Sequence, residues 1–203
     1  MPDLTAPGES GRGLTASGQE APETRFAVIV GTDHHPFDRV IRWVNDWLGQ
    51  HPEQAAAFFV QAGTATVPPV CESAPMLDVG RLATLLDESD VMICHGGPGS
   101  IADAWQRGHL PIVVPRMRRF GEHVDDHQVD FCRKFADLGR VRIAEDAATF
   151  TGLLDEARTD RTRFRATEPV AEIESAVARF DALVDELING PRRKRRRASR
   201  SGL

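Results

Sequence analysis

The chain has 203 residues, 41% of them hydrophobic, and a formal net charge of −5. This suits one core-bearing domain of ordinary size with polar ends. No apolar run reaches the roughly 18 residues of a membrane span, and the first residues lack the basic start and apolar stretch of a signal peptide.

The charge is unevenly spread. Residues 191–203 hold seven basic side chains and no acidic one, which leaves 18 basic against 30 acidic residues elsewhere. An acidic body argues against a main surface that binds nucleic acid, while the basic tail could touch anionic lipid, nucleic acid, an acidic partner or nothing. Cys71, Cys94 and Cys132 are odd in number and widely separated, and read as reduced cytosolic thiols rather than a disulfide or a zinc site.

Residues 1–24 are rich in Gly, Pro, Ser, Thr and Glu without a hydrophobic period, which predicts disorder. Phe26–Val30 is a continuous apolar run ending at Gly31, the pattern of a buried parallel strand. After the loop Gly31–Asp38, which Pro36 closes at a helix start, Phe37, Val40, Ile41, Val44 and Leu48 recur at helical spacing. Ala55–Gln61 reads as the next strand, and Thr66–Cys71 as a candidate third. Leu77–Glu88 is expected to be helical, with Leu82, Leu85 and Leu86 turned inward.

Val91–Cys94 predicts a buried strand, Ile101–Arg107 a helix, and Leu110–Pro115 another strand. A polar loop then leads to a helix over Asp126–Leu138, ended by Gly139. A short strand at Val141–Ile143 and a helix at Ala147–Ala157 complete the alternation. The domain plan is therefore a single domain over 25–157, a linker and helix over 158–190, and a basic disordered tail over 191–203. In the helix Val170–Ile188, Ile173, Val177, Phe180, Val184 and Leu187 form a seam for packing on the same domain or on a partner.

Apolar strands alternating with helices predict an α/β fold, a Rossmann-like parallel sheet with helices on both faces. Ligands in such sheets lie beyond the carboxyl ends of the strands. That rule puts the loops Gly31–Asp38, His95–Ser100 and Arg116–Gln128 on one rim. The organising stretch is Val91–Asp103, where His95, Gly96, Gly97, Pro98, Gly99 and Ser100 run from strand to helix. Backbone N–H groups there face the positive end of a helix dipole, which suits phosphate. Pro98 has no N–H, so Gly97, Gly99 and Ser100 must build the cradle. The pair Ser100 and Asp103 resembles a capping box. The turn is not G-x-G-x-x-G, which disfavours a dinucleotide.

The blocks His95-Gly-Gly-Pro-Gly-Ser100, Pro111–Pro115 and Gly121-Glu-His-Val-Asp-Asp-His-Gln128, in that order, resemble the C-terminal domain of glycosyltransferase family 28. The likeness is best to its small single-domain members, the catalytic subunits of two-part UDP-sugar transferases in exopolysaccharide and lipid-linked oligosaccharide synthesis. It covers about residues 25–157, and Gly31-Thr32 followed by Pro36-Phe-Asp-Arg39 matches the family's first loop. The resemblance implies the donor half of a GT-B glycosyltransferase. Gly96, Gly97, Gly99 and Ser100, with His95 before them, would hold the UDP pyrophosphate, and Gly31 and Thr32 would face it. Asp103 would take the ribose hydroxyls, His127 and Gln128 the transferred sugar, and the region of Met76–Leu77 the uracil.

In the first loop the order Asp33, His34, His35 departs from the family's Gly-Thr-His. Asp33 and His34 are candidates for the base on the acceptor or for neutralising the leaving diphosphate. His123 either orients its loop or does not, and His109 reads as structural. The implied reaction moves a hexose-type sugar from UDP to a lipid-linked acceptor, together with a membrane-anchored partner that supplies the acceptor half. The protein would then sit in the cytoplasm at the inner face of the membrane. No cofactor is expected, because the UDP-sugar is a substrate. No D-x-D or other metal constellation is visible in the sequence. The alternatives are a non-catalytic UDP-sugar-binding or regulatory subunit, a UDP-sugar epimerase-like protein, and a nucleic-acid-binding protein working through the arginine tail.

Overall fold

The computed structural model describes residues 24–166. Residues 1–23 of the expected disordered segment 1–24, the seam helix at 170–188 and the basic tail lie outside the described residues.

Six parallel strands form one sheet: β1 (Phe26–Ile29), β2 (Phe58–Gln61), β3 (Glu72–Ala74), β4 (Val91–Cys94), β5 (Ile112–Val113) and β6 (Arg142–Ile143). Their order is β3-β2-β1-β4-β5-β6, so the chain reverses its direction of travel between β1 and β4. Parallel pairing fixes Phe26 opposite Phe58 on one side and opposite Val91 on the other. Helices α1 (Asp38–Gln50), α2 (Val79–Glu88), α3 (Pro98–Gln106) and α4 (His127–Asp137) cross between strands, and α5 (Ala147–Thr159) follows β6.

The period of two in β1 divides the core. Phe26 and Val28 join Val40, Ile41, Val44 and Trp47 of α1 and Phe150 and Leu154 of α5 on one face. Ala27 and Ile29 join Leu86 of α2, Ile101 and Trp105 of α3 and Cys132 of α4 on the other. Burial on both faces explains why β1 and β4 are apolar at every position.

Four local expectations are corrected. Thr66–Cys71 is not the third strand; Glu72–Ala74 is. Pro68 and Pro69 cannot donate to a ladder, and α1 holds the segment instead. The Asp38 carboxylate accepts from the Thr66 and Val67 N–H groups at 2.6 and 3.2 Å, and the Asn45 side chain bonds Pro68 O and Val70 N. The second strand starts at Phe58, because Ala55–Ala57 finish a 3-10 turn begun by Pro52. Helix α3 begins at Pro98 with Gly97 as its N-cap, so Ser100 lies inside the first turn and the Ser100–Asp103 capping box does not form. Finally, the chain stays packed past 158: a 3-10 turn at Arg161–Phe164 buries Phe164 fully, and Arg165 bridges to His109.

Candidate functional site

Helix α3 starts directly from β4. Gly96 has φ +77°, and a Cβ there would lie 2.6 Å from the Cys132 Sγ, so both backbone conformation and space demand glycine. Pro98 at the first helical position gives up an N–H that would have no partner in the helix. The next N–H groups, of Gly99 and Ser100, belong to the first turn, whose donors have no acceptor within the helix. A Cβ on Gly99 would meet no atom within 4 Å, so the space over this helix start is open.

The loop after β1 forms the facing wall. Gly31 has φ +82°, and its Cβ would fall 2.6 Å from the His95 ring. That ring fills the gap between Gly31 and Gly97, where a Gly97 Cβ would also collide with it. Burial, reinforced by the Arg116 charge, lowers the His95 pKa to about 4, so the ring is neutral at physiological pH. Gln61, at the end of β2, fixes Gly31 from behind. Its Oε1 accepts from Gly31 N at 3.1 Å, and its Nε2 donates to Gly31 O and to Pro75 O at 3.2 and 2.8 Å. Between these walls lies a cleft of about 450 Å³. Gly31, Thr32 and Asp33 line one side, Gly97, Gly99 and Ser100 another, and Met76, Leu77 and Leu82 form an apolar end.

A buried ionic network joins the first loop to the loop after β5. Arg116 is 1% exposed and Glu122 2%. Arg116 donates to the carbonyls of Val30, His35 and Glu122 at 2.7–3.1 Å. Glu122 takes a two-pronged bond from Arg39 at 2.9 and 2.8 Å, and the Met117 N–H at 3.0 Å. Arg39 also donates to Pro115 O and lies over the ring of Trp43, 4.7 Å from its centroid. Such planar, multiply bonded sites need guanidinium groups.

Above this network sits a cluster of imidazoles and carboxylates. Asp33 Oδ1 accepts from the His35 N–H at 2.8 Å and lies 2.7 Å from His35 Nδ1. It is 3.5 Å from His34 Nδ1, and Asp33 Oδ2 is 3.9 Å from His123 Nε2. Burial pushes the Asp33 carboxyl up, but the His35 N–H and ring and the Arg116 charge outweigh it and bring the pKa down to about 2. Asp33 is therefore ionised at neutral pH. His123 Nδ1 is 3.3 Å from Asp125 Oδ1, which also holds His127 Nδ1 at 2.8 Å.

The residues singled out in the sequence fall into two groups. Gly31, Thr32, Asp33, His95, Gly97, Gly99 and Ser100 line the cleft together, and Gly96 shapes its turn. Asp103, His127 and Gln128 do not line it. Asp103 lies a turn further along α3, 3.9 Å from Arg107. His127 is 82% exposed at the start of α4, and Gln128 Oε1 accepts from Arg116 N at 3.3 Å. His34 is 85% exposed, whereas His35, which the sequence reading passed over, pairs with Asp33. Gln61, Arg39, Arg116 and Glu122 were also passed over. The signal for them was a polar residue ending an apolar strand, and charges in a loop too short to shield them. His109 is buried, with Nε2 3.1 Å from Leu86 O, the structural role expected.

Three solved structures are similar in fold. Acinetobacter baumannii MurG aligns with a TM-score of 0.52 and 16% identity over 79% of this chain and 51% of that one. The solution structure of ALG13 gives 0.52 and 18% over 82% and 97%. CalG4, the calicheamicin glycosyltransferase, gives 0.50 and 13% over 87% and 46%. The chain thus spans about half the length of MurG and of CalG4, and its fold is the Rossmann-like C-terminal half of a GT-B glycosyltransferase. No curated protein sequence matches it significantly. The model of the glycosyltransferase family 28 C-terminal domain matches residues 26–179, and by that match the chain belongs to this glycosyltransferase family.

Proposed function

We propose that the chain binds a UDP-sugar in the cleft between Gly31–Asp33 and the start of α3, and transfers its hexose to a lipid-linked acceptor. The observation that carries this reading is the open helix start at Gly97–Ser100, at the point where strand order reverses. There the N–H groups and the dipole meet the leaving diphosphate. Charge grows on the diphosphate as the glycosidic bond breaks, so fixed donors at this place lower the barrier. Met76 and Leu77 offer the apolar end to the uracil. Asp103 is assigned to the ribose, and His127 and Gln128 to the sugar, by their positions in the family's motif.

For the acceptor, the Asp33–His35 pair replaces the Asp33–His34 pair suggested by the sequence. An Asp ionised down to about pH 2 is a weak base, but it orients a histidine and stabilises its cation. His35 is then the group that takes the acceptor hydroxyl proton. The acceptor half comes from a membrane-anchored partner, which holds the chain at the cytoplasmic face. No helix among the described residues is long and apolar enough to cross a membrane.

Calorimetric titration of the full chain with UDP, ADP, GDP and several UDP-sugars tests the donor assignment. UDP is expected to bind at least about tenfold more tightly than the purine diphosphates, about 1.4 kcal/mol. Equal affinities would overturn it.

A further inference from the structure

We propose that the rim of the cleft carries a transition-metal site, with Asp33, His34 and His35 of the first loop and His123 of the loop before α4 as ligands. One potential ligand atom from each of Asp33, His34 and His35 lies within 4.8 Å of the others. His123 Nε2 approaches from the second loop to 3.9 Å from the Asp33 carboxylate. Neighbouring ligand atoms around a four-coordinate zinc, at bonds of 2.0–2.1 Å, stand about 3.3 Å apart. The separation of 3.5 Å between His34 Nδ1 and Asp33 Oδ1 is close to that spacing, and His123 Nε2 lies 3.9 Å from the other carboxylate oxygen, Oδ2. The His35–Asp33 contact of 2.7 Å is a hydrogen bond whose proton the metal would displace, and it needs to open by roughly half an ångström.

The frame of the site already exists. Asp33 O accepts from Thr64 Oγ1 at 3.0 Å, Asp33 Oδ1 from the His35 N–H, and His35 O from Arg116. Through Nη1 and Nη2 the Arg116 guanidinium donates to the backbone carbonyls of His35, Glu122 and Val30. His123 Nδ1 accepts from the Asp125 N–H at 3.4 Å and lies 3.3 Å from the Asp125 carboxylate; moving the ring proton to Nδ1, toward that carboxylate, would free Nε2 for the metal. That is the carboxylate–histidine support found behind metal ligands. His34 is largely exposed and leaves a path for entry. Three imidazoles with one carboxylate favour zinc or nickel over magnesium or calcium.

Occupation would bridge the two loops and remove His35 from proton transfer, so the metal would inhibit transfer at this site. Binding itself does not depend on the nucleotide reading. The test is a titration of the metal-free full chain with Zn²⁺ in competition with a chromophoric chelator. One equivalent is expected, with affinity falling by at least about tenfold in His35→Ala and in His123→Ala, and unchanged in His51→Ala, whose ring lies beside Trp47. Circular dichroism melts confirm that each variant is folded. Absence of a stoichiometric site, or equal affinity in the folded His35→Ala and His123→Ala variants, would overturn the proposal. Zinc binding retained in a chain without UDP preference would sink the nucleotide reading alone.

Discussion

His95 is a histidine that folding keeps uncharged. The unfolded ring takes a proton near pH 6.5, whereas the folded ring waits until about 4. Its contribution is therefore fully present above pH 6.5 and is lost as pH falls through that window, by on the order of 3 kcal/mol. Buried His109, also lowered by its burial, adds to the same slope. Unfolding midpoints between pH 7 and 4 should fall steeply in the natural chain and less steeply in His95→Asn. A second residue-scale expectation concerns Glu122. Glu122→Gln leaves the buried Arg39 without its carboxylate, and should cost about 3 kcal/mol by denaturant unfolding. These charges were hard to see in the sequence because Arg116–Asp126 reads as a polar loop. Burial of Arg116 and Glu122 depends on pairing with Arg39 and Val30, which arrive from the other end of the fold. Asp33 is readable as a candidate, but its partner reads as His34, because only the turn that aims His35 back at Asp33 tells the two histidines apart.

Among the elements, the β4–α3 turn separates folding from binding. Gly96→Ala would strain a left-handed backbone and strike Cys132, so it should destabilise by about 2 kcal/mol or more in thermal melts. Gly99→Val has room in the free protein; it should fold with a stability close to natural, yet weaken UDP binding by tenfold or more in calorimetry, because its side chain fills the space reserved for the diphosphate. Equal effects on stability and affinity would contradict that division. The elements that the sequence disclosed were those carrying a dense periodic signal: β1 and β4 as unbroken apolar runs, and α1 through its spacing. β3 stayed hidden because Glu72-Ser73-Ala74 is an edge strand with a polar face. The start of α3 was misplaced because Ser100 is a better cap by type than Gly97, whereas Pro98 decides the matter by geometry.

For the molecule as a whole, six strands bring three loops from distant parts of the chain to one rim, and this was legible from the alternation of strands and helices alone. The pairing of Asp33 with His123 was not, since it depends on how far each loop reaches beyond its strand. If the chain is the donor half of a two-part enzyme, the isolated protein should bind UDP-sugar but transfer no sugar to a lipid acceptor, and activity should return when the membrane-anchored half is added. A radiolabelled-sugar transfer assay measures this, and full turnover by the chain alone would contradict it.

Gln61 grips the backbone of Gly31 with both ends of its amide, and through Nε2 it also holds that of Pro75. The loops leaving β1 and β3 are thereby tied through the strand between them, and the distance across the cleft is set before anything enters. Such a slot works as a gauge: a flat ring of the right breadth slides in, while a wider one must first tear three hydrogen bonds from a single side chain. Discrimination between small and large bases would then reside in how firmly one glutamine in the cleft wall holds two stretches of backbone.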